Sequence, residues 1–228
     1  MATAQTLVLE DASLELVPKR FQGHKNCSTV LSRFGILPCD QILDDNFHNE
    51  ILKDMKASEK RGRPDVVHIA LLDVCSTPLF DRNLVRVIIH TVNDTTIMLK
   101  PRVRIPRTLI RFNGVMSKLL KDKPEPNSFF EIVVGQNILE LVSTLNQEMI
   151  LLSKKGVERN LRNFIERRKF QEKEATWVIG GFPFGHFDEE LLGKADEIIS
   201  ISNHSLPAHV VAARLCYDLE EAMGLLKD

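Results

Sequence analysis

Arg104, Arg107 and Arg111 stand three and four residues apart in the stretch RIPRTLIRF. The spacing predicts a helix from Pro106 to about Lys121, because proline has a pre-set φ and lacks an N–H that a first helical turn would leave unpaired. Leu109, Phe112, Met116 and Leu119 would form its core face. Arg107 and Arg111, at i and i+4, would share a neighbouring face, with Arg104 pointing the same way from just before the helix. Guanidinium groups brought together repel one another, and a bound anion relieves that repulsion. From Lys100 to Lys123 there are eight Lys or Arg against one acid, Asp122, in a chain of net charge −1. A local positive patch on a neutral background suits a phosphate-bearing ligand. The plain alternative is a solvated helix face.

A second stretch with chemical potential is WVIGGFPFGHF, Trp177–Phe187. A strand there ends in Gly180 and Gly181, followed by Pro183 and Gly185. Glycines at the carboxyl end of a parallel strand let a ligand approach the backbone. The spacing is neither GxGxxG nor a P-loop, which argues against pyrophosphate binding of those kinds. A further polar loop, ISNHSLPAH at 201–209, precedes an apolar helix. Two such loops would hold a flat heterocycle by main-chain hydrogen bonds; ordinary αβ loops read the same way. Phe182 and Phe184 would stack on adenine or a base, or pack as core. The seven histidines show no HExxH or Cys/His ligand spacing, so no metal is expected. His68 and His209 fall on apolar helices and read as packed; His186 and His204 lie in the two loops and receive no role.

The elements that must place these residues follow from the pattern. Thr6–Glu10 reads as a strand and 18–45 as irregular. Asn46 would cap a helix to about Lys60, with Phe47, Ile51 and Met55 on one face. A helix starts after Pro64 and covers Asp65–Val74. Leu84–His90 and Thr95–Lys100 flank VND as a hairpin. After Pro124 and Pro126, strands at Phe129–Val134, Glu148–Ser153, Trp177–Gly180 and Glu197–Ser202 alternate with helices at Gln136–Leu145 and Glu158–Lys169. That alternation predicts an α/β fold with a largely parallel sheet. The last helix, Leu206–Leu226, is apolar almost all round as far as Tyr217. A helix without a polar face is buried on both sides, which predicts a partner subunit.

The chain has 228 residues, 43% of them hydrophobic and 27% charged, the make-up of a soluble globular protein with a proper core. Four cysteines are widely spread, without a CxxC pair, and read as reduced cytosolic thiols. There is no signal sequence and no apolar run of about 18 residues, so no membrane association is expected and the protein is placed in the cytoplasm.

RPD at 63–65 before an apolar helix, RIPRTxxRF at 104–112, IGGFPFG at 179–185 and ISISNxxL at 199–206 occur in that order. Together they resemble the pseudouridine N1-specific methyltransferases of small-subunit ribosome assembly, members of the SPOUT or α/β-knot class, in their compact archaeal form. The resemblance spans about Leu7 to Gly224 and is poor over 20–45. It implies a single domain over 1–228, with a β-hairpin/helix extension, a C-terminal trefoil knot, and the knot and cofactor region at about 148–228. It also implies an obligate homodimer, in agreement with the apolar last helix. The cofactor would be S-adenosylmethionine, held by Leu152, Ser153, Gly180, Gly181, Gly185 and the loop Ile201, Ser202, Asn203, His204, Ser205 and Leu206. Arg63, Arg104, Arg107 and Arg111 match the family's RNA-contacting arginines, and Asp65 the carboxylate that steadies Arg63. The implied substrate is a pseudouridine in a small-subunit rRNA hairpin loop, with small-subunit ribosomal proteins as further partners.

Methylating the pseudouridine N1 requires loss of its proton and in-line approach to the methyl group. Arg63 or Arg104 beside the flipped base would stabilise charge spreading onto the flanking carbonyls. Asp65 is assigned to orient Arg63 rather than to act as base, since pairing with arginine lowers its pKa; a helix-start carboxylate favoured by the macrodipole is its plain reading. The rival readings are a non-catalytic RNA-binding assembly factor of the same fold and a tRNA methyltransferase of the same class.

Overall fold

The computed structural model describes residues 3–29, 35–122 and 128–226; Lys123 of the basic stretch and the break at Pro124 and Pro126 lie outside the described residues. Seven strands, β1 Gln5–Ala12, β2 Val85–Thr91, β3 Thr95–Leu99, β4 Phe130–Val134, β5 Glu148–Glu158, β6 Ala175–Gly180 and β7 Glu197–Ser200, form one sheet. Its order is β4-β3-β2-β1-β6-β5-β7. Strands β2, β1, β6, β5 and β7 run parallel, and β3 and β4 add an antiparallel edge. The expected α/β class and the β2–β3 hairpin are both present.

Nine helices flank the sheet among the described residues: α1 Lys25–Thr29, α2 Asp45–Leu52, α3 Pro64–Val74, α4 Pro78–Asp81, α5 Leu109–Lys121, α6 Ile138–Leu145, α7 Leu161–Arg168, α8 Glu189–Leu192 and α9 Ala208–Ala222. Leu7, Leu9 and Ile179 point into a core shared with α3, α5 and α9. Val8 and Val178, on the opposite face, bury against Leu141 of α6 and Leu191 of α8. Burial on both faces is why the central strands are apolar without alternation. Trp177 is wholly buried, and its indole N–H donates to Gln5 Oε1 at 3.0 Å.

Several boundaries differ from expectation, each for a local reason. Helix α5 starts at Leu109, not Pro106: Val103 and Ile105 are both buried, which anchors the segment before the helix, and Thr108, in an extended conformation, is the N-cap. Arg107 therefore precedes the helix and does not share an i, i+4 face with Arg111. The expected core face of α5 is otherwise present, with Phe112, Met116 and Leu119 buried. Helix α2 is capped by Asp44, whose carboxylate accepts the Asn46 N–H at 3.0 Å, and it ends at Leu52. Within it His48 is held off helical geometry by two hydrogen bonds: Nδ1 accepts from the Asp44 N–H at 3.0 Å and Nε2–H donates to Gln41 Oε1 at 2.9 Å. Burial pushes its pKa down to about 4, so the ring is neutral at ordinary pH. Strand β5 runs on to Glu158, where a helix was expected, because Val157 and Glu158 pair with Ile199 and Ser200.

Helix α9 is better covered by its own chain than its composition implies. Ala212, Leu215, Cys216 and Leu219 are buried, and the helix packs on α3 and α7. Glu220 is buried too, its carboxylate accepting the Leu79 N–H of α4 at 2.9 Å. The face left open carries Ala213, Arg214 and Tyr217, the last 57% exposed.

Candidate active site

Three adjacent parallel strands, β6, β5 and β7, end on one edge of the sheet, so their exit loops are neighbours. Between them and α3 lies a cleft of about 580 Å³, within the range of small-molecule sites and at the carboxyl ends of the strands, where α/β sheets hold ligands. Leu152 and Ser153 line it from β5, Gly180 and Gly185 from the loop after β6, and Ile201, Ser202, His204, Ser205 and Leu206 from the loop after β7. Arg63 and Asp65 close it from the start of α3. Eleven residues named from separate motifs thus meet in one place.

Gly181 and Asn203 do not line the cleft. A β-carbon on Gly181 would stand 2.8 Å from Ala12 Cα, so this glycine serves the packing of the loop against β1. Gly180 likewise faces the Phe182 ring, 2.7 Å from where its β-carbon would be. Gly185 is the residue whose backbone demands glycine at the cleft, with φ +116°. Residues that the motifs did not single out complete the walls: Val66 and Ile69 of α3, and Lys154 and Lys155 at the end of β5's first segment. The i, i+3 spacing of Val66 and Ile69 shows only that they share a helix face, and core would be the default reading. His209 lines the cleft as well, half-buried rather than packed.

Arg63 grips Asp65 through two parallel bonds, Nε to Oδ1 at 2.8 Å and Nη2 to Oδ2 at 2.7 Å. The Arg63 hydrogen bond holds the Asp65 carboxyl below the usual aspartate range, and the same bond raises Arg63 above its own. His68 ties this helix start to the RIPR stretch. Its Nε2–H donates to the Pro106 carbonyl at 2.7 Å, and its ring stacks on Phe112 with centroids 4.7 Å apart. Arg107 and Arg111 line one shallow depression with Lys118, outside the cleft. Arg104, Arg107 and Arg111 are all exposed, and none meets a carboxylate among the described residues. Arg104 lines neither hollow.

Behind the glycine loop sits a second charged group. Lys60 pairs with Asp11 and, at 3.4 Å, with Asp188. Glu10, next to Asp11, is 2% exposed. Burial first, then the charge of Asp11, pushes its pKa to about 9, so it keeps its proton at neutral pH. Among the described residues no group of three or more His, Cys, Asp or Glu is placed to hold a metal ion, and no helix is long and apolar enough to cross a membrane.

The EMG1/NEP1 methyltransferase model matches residues 7–220. The ribosomal RNA small subunit methyltransferase Nep1 of Staphylothermus marinus is 32% identical over 224 residues, 97% of each chain. That of Saccharolobus solfataricus is 35% identical over 221 residues, covering 96% of this chain and 97% of its own. The crystal structure of Archaeoglobus fulgidus Nep1 bound to S-adenosylhomocysteine superposes with a TM-score of 0.81 at 28% identity, covering 98% of this chain and all of that one. Agreement of this extent, in sequence and in fold, assigns the chain: it belongs to the EMG1/NEP1 methyltransferase family.

Proposed function

We propose that the protein is an S-adenosylmethionine-dependent methyltransferase acting on small-subunit ribosomal RNA, and that its target atom is the ring N1 of a pseudouridine in a hairpin loop. The observation that carries this reading is the meeting of the RPD, glycine-loop and ISISN motifs in one cleft, in a family whose relatives are named ribosomal RNA small subunit methyltransferases and whose solved neighbour holds S-adenosylhomocysteine. The residues present fit the cofactor. The cleft has apolar walls at Leu152, Ile179 and Leu206, two loops that line it, and a glycine at 185 whose φ of +116° leaves the backbone uncovered by a side chain. When bound, S-adenosylmethionine supplies an electrophilic methyl group. The chain's own residues do the rest: the loops after β6 and β7 bind and orient, Arg63 at the cleft mouth stabilises charge on the base carbonyls, and Asp65 fixes the guanidinium plane. Positioning of two bound reactants supplies roughly 7–11 kcal/mol of such a barrier.

The deciding experiment uses labelled S-adenosylmethionine and two matched hairpins, one with uridine and one with pseudouridine. Label is expected only on the pseudouridine, at N1 by mass spectrometry. Label on uridine, or on neither, removes the assignment, and binding of both without transfer would favour the assembly-factor reading.

The exposed arginines are read as the RNA face, in keeping with their lack of carboxylate partners among the described residues. Each lost phosphate contact to single-stranded RNA lowers the slope of log affinity against log salt by about 0.7. Arg107→Ala and Arg111→Ala are expected each to weaken hairpin binding and flatten that slope, with stability within about 0.5 kcal/mol of wild type. Arg104 lines neither hollow, so Arg104→Ala is expected to behave like them; a loss of turnover larger than its loss of binding would instead place that side chain beside the base. Wild-type affinity and slope in all three variants would make these residues a solvated surface.

A homodimer and a trefoil knot belong to this reading as well. The open face of α9, with Tyr217 and Ala213, is the surface offered to a second copy, and a sedimenting mass near twice 25.9 kDa checks it. The three exit loops around one cleft, with α9 packed on α3 and α7, are the parts that a knot would thread. Ribosomal RNA as substrate and four free cysteines support a cytoplasmic location.

A further inference from the structure

Residues 60–63 lead into α3 and lie along the exit of β1 on alternate residues. Lys60 pairs with Asp11, the Arg63 N–H donates to Ser13 Oγ at 2.7 Å, and Arg61 Nη1 reaches both oxygens of buried Glu15 at 2.6 Å. The same exit holds the glycine loop. Gly181 N–H donates to the Glu10 carbonyl at 2.6 Å, and Ser13 N–H to the Gly181 carbonyl at 3.0 Å.

One side chain spans both attachments. The Lys60 ammonium reaches Asp188 at the far end of the glycine loop and stands 5.1 Å from the centre of the Phe182 ring at its near end. Its stem packs on Gly185, with Cγ and Cε 3.3 Å from where a β-carbon would stand. The Lys60 side chain is 12% exposed and that of Asp11 17%, so their pair is sheltered from solvent, while Asp188 stands at the surface. Asp11 adopts φ +49°, and Glu10 Oε2 is buried without a hydrogen-bond partner among the described residues. A left-handed aspartate, an orphaned carboxyl oxygen and a nearly buried cation all cost stability. Such features persist where surrounding structure enforces them, and they cluster at functional sites.

We propose that Lys60 is a positioning residue for methyl transfer. It holds the loop 182–188 in the form that receives the cofactor and ties that form to the placement of Arg63. Cofactor occupancy and RNA binding therefore favour each other. The proposal rests on the reading of the cleft as the S-adenosylmethionine site. The coupling is reciprocal: whatever factor RNA adds to cofactor affinity, the cofactor adds to RNA affinity.

Lys60→Met keeps the stem and removes the charge; Asp188→Asn releases the far end of the loop from a side chain already 77% exposed. Cofactor and RNA affinities are measured by calorimetry, each with and without the other ligand, for wild type, both variants and the double variant. Both single variants are expected to bind S-adenosylmethionine about tenfold more weakly, without additivity in the double variant. RNA affinity in the absence of cofactor should not change. The enhancement of cofactor binding by RNA, about fivefold or more in wild type, should disappear. Should Lys60→Met fail to fold, Asp188→Asn alone carries the test. Wild-type cofactor affinity and coupling in a folded variant overturn the proposal, as does a loss matched by a fall in melting temperature and additive with Asp188→Asn. A wild-type protein that binds no S-adenosylmethionine overturns the reading of the cleft, and this proposal with it.

Discussion

Gly185→Val is expected to abolish S-adenosylmethionine binding while the chain stays folded. At φ +116° a residue with a β-carbon is strained whatever space surrounds it, and a β-branched one most of all. The new β-carbon would also stand 3.3 Å from two carbons of the Lys60 stem. The loop must then leave its present course, and it is the loop that lines the cleft after β6. Its position on an exposed turn, away from the buried strands, keeps the penalty out of the core. The expected loss of affinity is about 100-fold, the upper part of what about 1–3 kcal/mol of strain at such a backbone conformation removes. Calorimetry with circular dichroism checks it. Wild-type affinity would take the loop out of the site. Gly181→Ala supplies the contrast: its added methyl group meets Ala12 backbone, so it should lower the melting temperature and leave any residual affinity to the folded fraction.

The two glycines read alike in the sequence, and only packing separates them. Gly181 is short of room because β1 passes beside it; Gly185 is fixed by its own dihedral. No spacing rule distinguishes the two causes. The same limit appears at Pro106. A proline before an apolar periodicity is a sound helix-start signal. Here burial of Val103 and Ile105 on alternate residues outweighs it, and the helix waits for Thr108. Short-range signals compete with tertiary burial, and burial is invisible until the partner elements are known. By contrast the largely parallel sheet was legible, since strands and helices alternate along the second half of the chain. The cleft was legible as separate motifs, because each loop follows a recognisable strand. Lys60 was not: its partners lie 49 and 128 residues away, and only the fold brings them together. Helix α9 was legible in part, its open face at Ala213 and Tyr217 remaining for the proposed second copy. Its apolar circumference was visible, but the cover supplied by α3 and α7 within the same chain was not.

Asp65→Ala is expected to lower turnover about 100-fold, and Asp65→Asn about tenfold, with cofactor affinity unchanged in both. The magnitudes follow from the role of the group. A misplaced reacting partner costs on the order of 100-fold, and Asp65 fixes Arg63 through two bonds at 2.8 and 2.7 Å. Asparagine keeps one acceptor for that fork; alanine keeps none. If Asp65 instead took the N1 proton, asparagine would be as inactive as alanine, because an amide accepts no proton at neutral pH, and the loss would reach about 10²–10⁴-fold in both. The carboxyl favours the first outcome. Hydrogen bonding from Arg63 holds its pKa below the usual range, which leaves it charged but weakly basic. The sign for stability follows. With the folded value depressed, the contribution of Asp65 is present above the unfolded value of about 3.9 and is lost as pH falls through the lower folded one. Turnover should therefore show no acid limb from Asp65 between about pH 5 and 8. Kinetics of both variants on a pseudouridine hairpin, with a pH profile of the wild type, decide the matter. Equal inactivity of Asn and Ala, together with an acid limb near neutrality, would make Asp65 the base and leave Arg63 oriented by something else.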